Sequence, residues 1–211
     1  NVLSVVCVCY AFGGGIGLHS LRSMSIHALL GADDKLLERY AITHGFLEAW
    51  VSRSLRLLGC AGFLWVLAVV SIVPLVLSQS ASEDGGKDGV SSTVALTFSF
   101  IFLSGVVTVL TYCHLHVCAG LELMLDTFCV EFIQNTDFRL GVVQWNMMQA
   151  IMRRAAQTID LCFLSVQASV LTATVLVGMD VVLVSGIQER ALLSLPFNLL
   201  MVAIMYFGQY R

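Results

Sequence analysis

Five apolar stretches alternate with polar connections along the chain. A helix needs about 20 residues to cross a bilayer core roughly 30 Å thick, and the stretches reach or approach this length. Because lipid offers the backbone no hydrogen bonds, stretches that cross it are expected to be helices. The pattern predicts an all-α fold, a polytopic transmembrane helical bundle, with spans at 1–18, 57–77, 93–117, 161–184 and 191–207.

Charged side chains are almost absent from these stretches. The 211 residues are 58% hydrophobic and 12% charged, whereas soluble domains are about 25% charged. Of the 11 basic and 14 acidic side chains, Asp180 alone lies inside a predicted span. This composition excludes an ordinary soluble globule and predicts the lipid bilayer as a partner. A net charge of −3, without a basic–aromatic patch, argues against nucleic acid as a partner.

The distribution of Lys and Arg predicts the orientation of the chain. Eight of them lie in the connections 19–56 and 118–160, against two in 78–92 and 185–190. Basic residues favour the cytoplasmic side, so the connections 19–56 and 118–160 are predicted to be cytoplasmic. The visible N-terminus is then outside and the C-terminus is cytoplasmic. We expect a multi-pass integral protein of the plasma membrane.

Residues 1–211 are predicted to form a single transmembrane domain. The outer connections are too short to hold an extracellular domain. The seven cysteines all lie within predicted spans or on the predicted cytoplasmic side, and this odd number argues against a disulfide framework. The chain begins inside apolar sequence and stops directly after it. We therefore expect it to be a piece of a longer protein.

The two inner connections have helical patterns of their own. Apolar residues recur at helical spacing through 33–58, which predicts a helix that runs into the second span. In 118–160, two apolar runs step by three and four residues on either side of a turn at 135–137. This near-heptad spacing predicts that the third and fourth spans continue as a cytoplasmic helical hairpin, or stalk. The predicted seam contains Leu121, Leu125, Phe128, Phe132, Trp145, Met148 and Met152.

Four polar residues, His114, Cys118, Glu122 and Asp126, follow one another at four-residue steps on one helical face. They are interpreted either as a metal or proton site at the membrane edge or as a polar face leaving the bilayer. The first and last lie about 18 Å apart along a helix, so the four cannot share one ion. The second interpretation is favoured, and no metal or cofactor is predicted. No catalytic motif occurs, so we do not expect an enzyme.

An outer-half ligand pocket is the second candidate site. Asp180 is an acid inside a span, and such residues mark function by default, although a contact at the membrane interface is the alternative. Tyr10, Phe98, Phe102 and Asn198 are the other candidates for lining the pocket. The competing interpretation is that the aromatic side chains contact lipid or the core of the bundle.

Gly13 and Gly17 form a G-x-x-x-G spacing inside the first span. In an apolar helix this spacing lets two backbones approach closely. A nucleotide-binding loop requires a strand before it and a helix after it, and neither context is present. We therefore predict a helix-packing contact.

The order of spans and connections resembles that of the seven-helix insect-type gustatory and odorant receptor superfamily. The matching features are the out-to-in first span, the long helical first inner connection, and the extended hairpin from Tyr112 to Phe163. Within that hairpin, 142–163 (VVQWNMMQAIMRRAAQTIDLCF) looks like the stretch leading into the family's fifth helix. The five spans match its second to sixth helices. The seventh, pore-lining helix has no counterpart before Arg211, so no pore residue is assigned.

The resemblance implies a chemoreceptor-like, ligand-gated, non-selective cation channel, assembled as a homo-tetramer or hetero-oligomer. It implies that the seam residues of the hairpin are partly subunit contacts. It also implies that a small-molecule ligand in the outer-half pocket biases the closed–open equilibrium. A transporter or permease fragment and a structural membrane protein with a helical stalk are the alternatives. Transporters are typically marked by internal repeats, broken helices and midplane polar groups, which are not evident here.

Overall fold

The described part of the protein consists of five α-helices. The computed structural model describes residues 2–30, 36–82, 87–134 and 137–183. The all-α prediction is confirmed for these residues. In chain order the helices are α1 (Val2–Leu30), α2 (Leu36–Thr43), α3 (Leu47–Ser82), α4 (Lys87–Gln134) and α5 (Phe138–Leu183).

Among the described residues, three helices contain a segment long and apolar enough to cross a membrane: Leu47–Val70, Val94–Gln134 and Ile159–Leu176. α1 contains a shorter apolar part, Ser4–Ser20. The predicted span 191–207 lies outside the described residues. A helical bundle with three candidate spans is therefore established, and the count of five spans stays a prediction.

The single helix predicted over 33–58 was wrong, because a turn separates α2 from α3. Gly45 has a φ of +74°, the left-handed conformation that ends many helices. Its N–H donates to the Ile42 carbonyl (3.4 Å), and the Phe46 N–H donates to the Ala41 carbonyl (3.1 Å). These two bonds form a Schellman motif. The turn brings Phe46 back against Tyr40, with ring centroids 6.1 Å apart.

α4 and α5 are unusually long and lie antiparallel. They contain 48 and 46 residues, so each extends about 70 Å, more than twice the thickness of a bilayer core. Asp137 is the N-cap residue of α5. Its Oδ1 accepts hydrogen bonds from the N–H groups of Arg139 (3.0 Å) and Leu140 (3.4 Å). The Phe132 and Phe138 rings meet edge to face across the connection, with centroids 5.8 Å apart. Which side of a membrane this end faces stays a prediction.

Two separate clusters of buried residues hold the helices together. We call the first the bundle cluster; α1 packs there mainly against α5 and α4. It contains Val6, Cys7, Tyr10, Ala68, Phe100, Val107, Leu110, Cys162, Val166, Val170 and Ala173. We call the second the hairpin cluster; it joins α2 and the start of α3 to the facing ends of α4 and α5. It contains Tyr40, Ala41, Phe46, Trp50, Ala119, Met124, Phe128, Met148 and Ile151.

The predicted contact at Gly13 and Gly17 is confirmed. A Cβ atom on Gly13 would collide with the Ser169 side chain of α5. A Cβ atom on Gly17 would lie 2.8 Å from Leu110 Cδ1 and 3.3 Å from Cys162 Sγ. The missing side chains therefore allow α1 to lie close to both α4 and α5.

Candidate functional site

An apolar groove of about 720 Å³ lies between α1, α3 and α4. α1 contributes Leu18, and α4 contributes most of one wall, between Phe98 and Tyr112. α3 contributes Leu58, Ala61, Gly62 and Trp65. Cavities of this size and composition are typical of sites for small apolar ligands.

Aromatic rings form the wall of the groove that lies farther from the hairpin. The Phe98 and Phe102 side chains are 69% and 71% exposed and lie one turn apart on the same face of α4. Phe100, between them, points the other way into the bundle cluster. Opposite, the Trp65 indole lies over Gly105, and its Nε1–H donates to Ser104 Oγ at 3.1 Å. The indole N–H therefore has its partner, and the Trp65 ring face is available to an apolar ligand.

At the end nearer the hairpin, the groove meets a set of contacts that we call the α3–α4 latch. The Ser54 hydroxyl lies 2.9 Å from the Tyr112 hydroxyl and also hydrogen-bonds His116 Nδ1. The Trp50 Nε1–H donates to the His116 carbonyl (2.8 Å), and the two rings stack with centroids 4.8 Å apart. Gly120 makes this stacking possible, since a Cβ there would lie 2.7 Å from the indole. The latch thus holds α3 against α4 at the end of the groove nearer the hairpin.

An ion pair and two hydrogen bonds continue the connection toward the tip of the hairpin. Arg53 Nη2 lies 3.0 Å from a Glu122 carboxylate oxygen, on the hairpin side of the latch. His44 Nδ1 lies 2.8 Å from Glu131 Oε1, and Gln144 Nε2 donates to Glu131 Oε2 at 3.4 Å. Glu131 therefore joins the turn between α2 and α3, α4 itself, and α5 at one point.

Tyr40 is buried beside this point. Its ring stacks on His44 with centroids 4.0 Å apart, and its hydroxyl has no hydrogen-bond partner within the described ranges. Burial raises the pKa of Tyr40, and the nearby Glu131 carboxylate raises it further by a smaller amount. Both disfavour the charged phenolate. The phenol is therefore neutral and held by packing rather than by a hydrogen bond.

The predicted ligand-contact residues do not all come together. Phe98 and Phe102 line the groove, whereas Tyr10 is fully buried against Phe100, with ring centroids 6.4 Å apart. Asp180 lies on α5, but its side chain is outside the described part, and Asn198 is outside it entirely. Sequence reasoning missed the residues of the latch. In the sequence these residues form two pairs at i, i+4 spacing, namely Trp50 with Ser54 on α3 and Tyr112 with His116 on α4. This spacing was their only signal.

The predicted seam residues lie at the contact of α4 with α5 or beside it. Phe128 and Met148 are buried, whereas Trp145 is 41% exposed and meets Phe128 with ring centroids 5.7 Å apart. The other four residues are half-buried and pack against the hairpin cluster: Leu121, Leu125, Phe132 and Met152.

The polar residues at four-residue steps on α4 do not form one common site. The His114 ring stacks on Phe163, with centroids 4.1 Å apart, and its Nε2 lies 3.5 Å from Cys118 Sγ. Glu122 pairs with Arg53 instead. Among the described residues, no group of three or more His, Cys, Asp or Glu side chains is arranged to hold a metal ion.

Comparisons with known protein families, with characterised proteins and with solved structures find no match to this chain. The groove, the latch and the hairpin are therefore the features of the molecule that bear on its function. The resemblance to the gustatory and odorant receptor superfamily stays a prediction.

Proposed function

We propose that the chain is a subunit of a chemoreceptor-like, ligand-gated, non-selective cation channel. The observation that carries the proposal is the continuity of α4, which lines the groove with its first half and the hairpin cluster with its second. One continuous helix thus connects a cavity suited to an apolar ligand with a second packed region. A gated membrane protein requires a physical connection of this kind between its ligand site and the region that changes conformation.

The latch is the proposed two-state element between these regions. It holds α3 against α4 through the hydroxyls of Ser54 and Tyr112 and through the stacked rings of Trp50 and His116. A ligand that separates α3 from α4 in the groove favours the open latch. Gating follows if that ligand binds the open arrangement more tightly than the closed one.

The hairpin is the proposed contact between subunits, in a homo-tetramer or a hetero-oligomer. Large apolar side chains remain exposed at its tip, among them Ile133, Phe138 and Val143. Exposed apolar clusters of this kind mark contacts with other proteins or with lipid. The proposed location is the plasma membrane, with the hairpin in the cytoplasm and the visible N-terminus outside.

The proposal is tested by whole-cell recording from cells that display the protein at their surface. The probes are straight-chain alcohols of increasing length and oleate. We expect a cation current, and we expect Ser54→Ala to shift the concentration of probe at half-maximal current. Ser52→Ala, at an exposed position on the same helix, is the matched control and leaves it unchanged.

Two results contradict the proposal. The first is the absence of any probe-dependent current from protein that surface labelling detects. The second is solute uptake without current, which favours the transporter alternative. Modification by an impermeant reagent of a cysteine introduced at Asn135 contradicts the proposed sidedness.

A further inference from the structure

We infer that the groove between α1, α3 and α4 binds a long-chain fatty acid, with its carboxylate beside Arg22. This inference deepens the proposed function by naming the class of ligand, and it rests on the membrane insertion proposed there. It is argued from the length of the groove, from the position of its polar groups, and from the cation at one end.

The groove has the dimensions of one extended acyl chain. From Phe98 to Tyr112 its wall on α4 rises about 21 Å, which matches an extended chain of roughly 16 to 18 carbons. The volume of about 720 Å³ holds one such chain, but it is small for a two-chain phospholipid. Gly62 leaves room along this path, since a Cβ atom there would meet nothing within 4 Å.

The groove borders a cluster of polar side chains at one end, the Tyr112 end. Trp65 and Thr108 line it farther along, but the Trp65 N–H is bonded to Ser104 Oγ and the Thr108 hydroxyl to the Ser104 carbonyl. Only at Tyr112, the last wall residue on α4, does a hydroxyl meet a polar cluster. An apolar tail with one polar head fits this distribution, and the head belongs at the Tyr112 end.

A cation lies at the same end. Gly14 faces Val106 and Gly17 faces Leu110, so α1 and α4 run in the same direction, and Leu18 is level with the Tyr112 end. Arg22 is exposed and follows Leu18 by four residues, which places it one turn farther on the same face.

One guanidinium forms a paired hydrogen bond with one carboxylate, so a fatty acid suits this site. A larger phosphate headgroup calls for further cations. Arg56 is also exposed, but it comes two residues before Leu58 on α3 and therefore lies on the opposite side of that helix from the groove.

Binding of oleate to the purified full chain in detergent micelles tests the inference. Monoolein, the neutral analogue, and a lysophosphatidylglycerol are the comparison probes. We expect oleate to bind most tightly of the three. Gly62→Leu places a side chain in the groove. It should weaken oleate binding and raise the Kd about tenfold.

Gly59→Leu is the matched control, because a Cβ atom at Gly59 also meets open space but Gly59 does not line the groove. Arg22→Gln should remove the preference for oleate over monoolein, whereas Arg56→Gln should keep it.

The possible failures separate this inference from the proposed function. Equal binding of oleate to the Gly62→Leu and Gly59→Leu variants overturns the site. Equal binding of monoolein and oleate, or tighter binding of the lysophosphatidylglycerol, overturns the carboxylate assignment. Specific oleate binding without any oleate-dependent current supports the site and counts against the channel.

Discussion

The bundle cluster and the hairpin cluster pack the same long helices with different kinds of side chain. The bundle cluster consists mainly of small and aliphatic residues, and helices approach closely at Gly13 and Gly17. The hairpin cluster contains Tyr, Phe and Trp rings with two Met side chains. Polar contacts of Glu122 with Arg53 and of Glu131 with His44 border it. One helix, α4, thus changes its manner of packing along its length.

The difference follows from the solvent that each cluster would face. Lipid is as apolar as Leu, so burial drives little association there, and helices gain mainly from close contact through small residues. In water the burial of large apolar surface is the main driving force, at about 25 cal/mol per Å². The two compositions are therefore those expected if the bundle cluster lies in the membrane and the hairpin cluster in water.

The largest expected effect is that of Phe128→Asp in the hairpin cluster. Phe128 is 9% exposed and stacks on Phe132, with ring centroids 5.8 Å apart. Truncation of a buried Phe costs about 3–5 kcal/mol, and burial of an unpaired carboxylate adds to this. We expect the hairpin to open while the spans still insert, as measured by faster amide exchange in 118–160 and unchanged membrane extraction.

Trp145→Asp provides the graded comparison for that variant. Its ring is 41% exposed, so the loss of stability should be clearly smaller than for Phe128→Asp. Oligomer size on native gels reports whether the hairpin also joins subunits. An unchanged size with both substitutions together would count against a packed stalk.

Gly13→Leu is the corresponding disruption of the bundle cluster. The new side chain would collide with Ser169, and its Cβ would lie 3.0 Å from the Ser165 carbonyl oxygen, which a rotamer change does not relieve. Overpacking of this kind costs about 1–3 kcal/mol. We expect a lower midpoint of unfolding when the protein is titrated from mild detergent into sodium dodecyl sulfate.

Gly15→Leu is the control for this substitution, because a Cβ at Gly15 meets nothing within 4 Å. Equal loss of stability in the two variants would mean that a general effect on α1, and not its contact with α5, is responsible.

The helices were predictable where one physical signal dominates the sequence. The absence of charge and the length of the apolar runs predicted helices over 57–77 and 93–117, and the G-x-x-x-G spacing predicted the contact at Gly13 and Gly17. The end of α2 was missed, although Gly45 followed by Phe46 is the pattern of a Schellman motif, because apolar spacing continues on both sides of the turn.

The groove and the latch were less predictable for a different reason. Phe98 and Phe102 were identifiable as one face of a helix, but the opposite wall depends on how α3 crosses α4. The pairing of Ser54 with Tyr112 joins positions 58 residues apart. Spacing within one helix carries no information on the register between two helices.

Tyr40→Phe should have a smaller effect, and of opposite sign. It removes a buried hydroxyl that has no hydrogen-bond partner among the described residues, so we expect a stabilisation of about 1 kcal/mol. The pKa of Tyr40 is raised in the folded protein, whereas an unfolded Tyr titrates near pH 10. Above about pH 10 the folded state therefore binds more protons than the unfolded state, and stability falls as pH rises.

Unfolding of the hairpin cluster at neutral and at alkaline pH checks this prediction. The wild-type protein should lose stability through the alkaline range, and Tyr40→Phe should lose less. An equal alkaline loss in the wild type and in Tyr40→Phe would contradict the assignment to Tyr40.

The smallest expected effect is the coupling between Arg53 and Glu122, and it tests the boundary between the two regions most directly. Their side chains are 31% and 36% exposed, so the ion pair is worth about 0–1 kcal/mol if water reaches it. A double-mutant cycle with Arg53→Gln and Glu122→Gln measures this coupling, which salt should weaken further. A coupling that is large and indifferent to salt would mean that the pair is shielded from water, by lipid or by another subunit. If lipid is the shield, the membrane-facing region extends past the latch, and the water-facing region begins closer to Glu131.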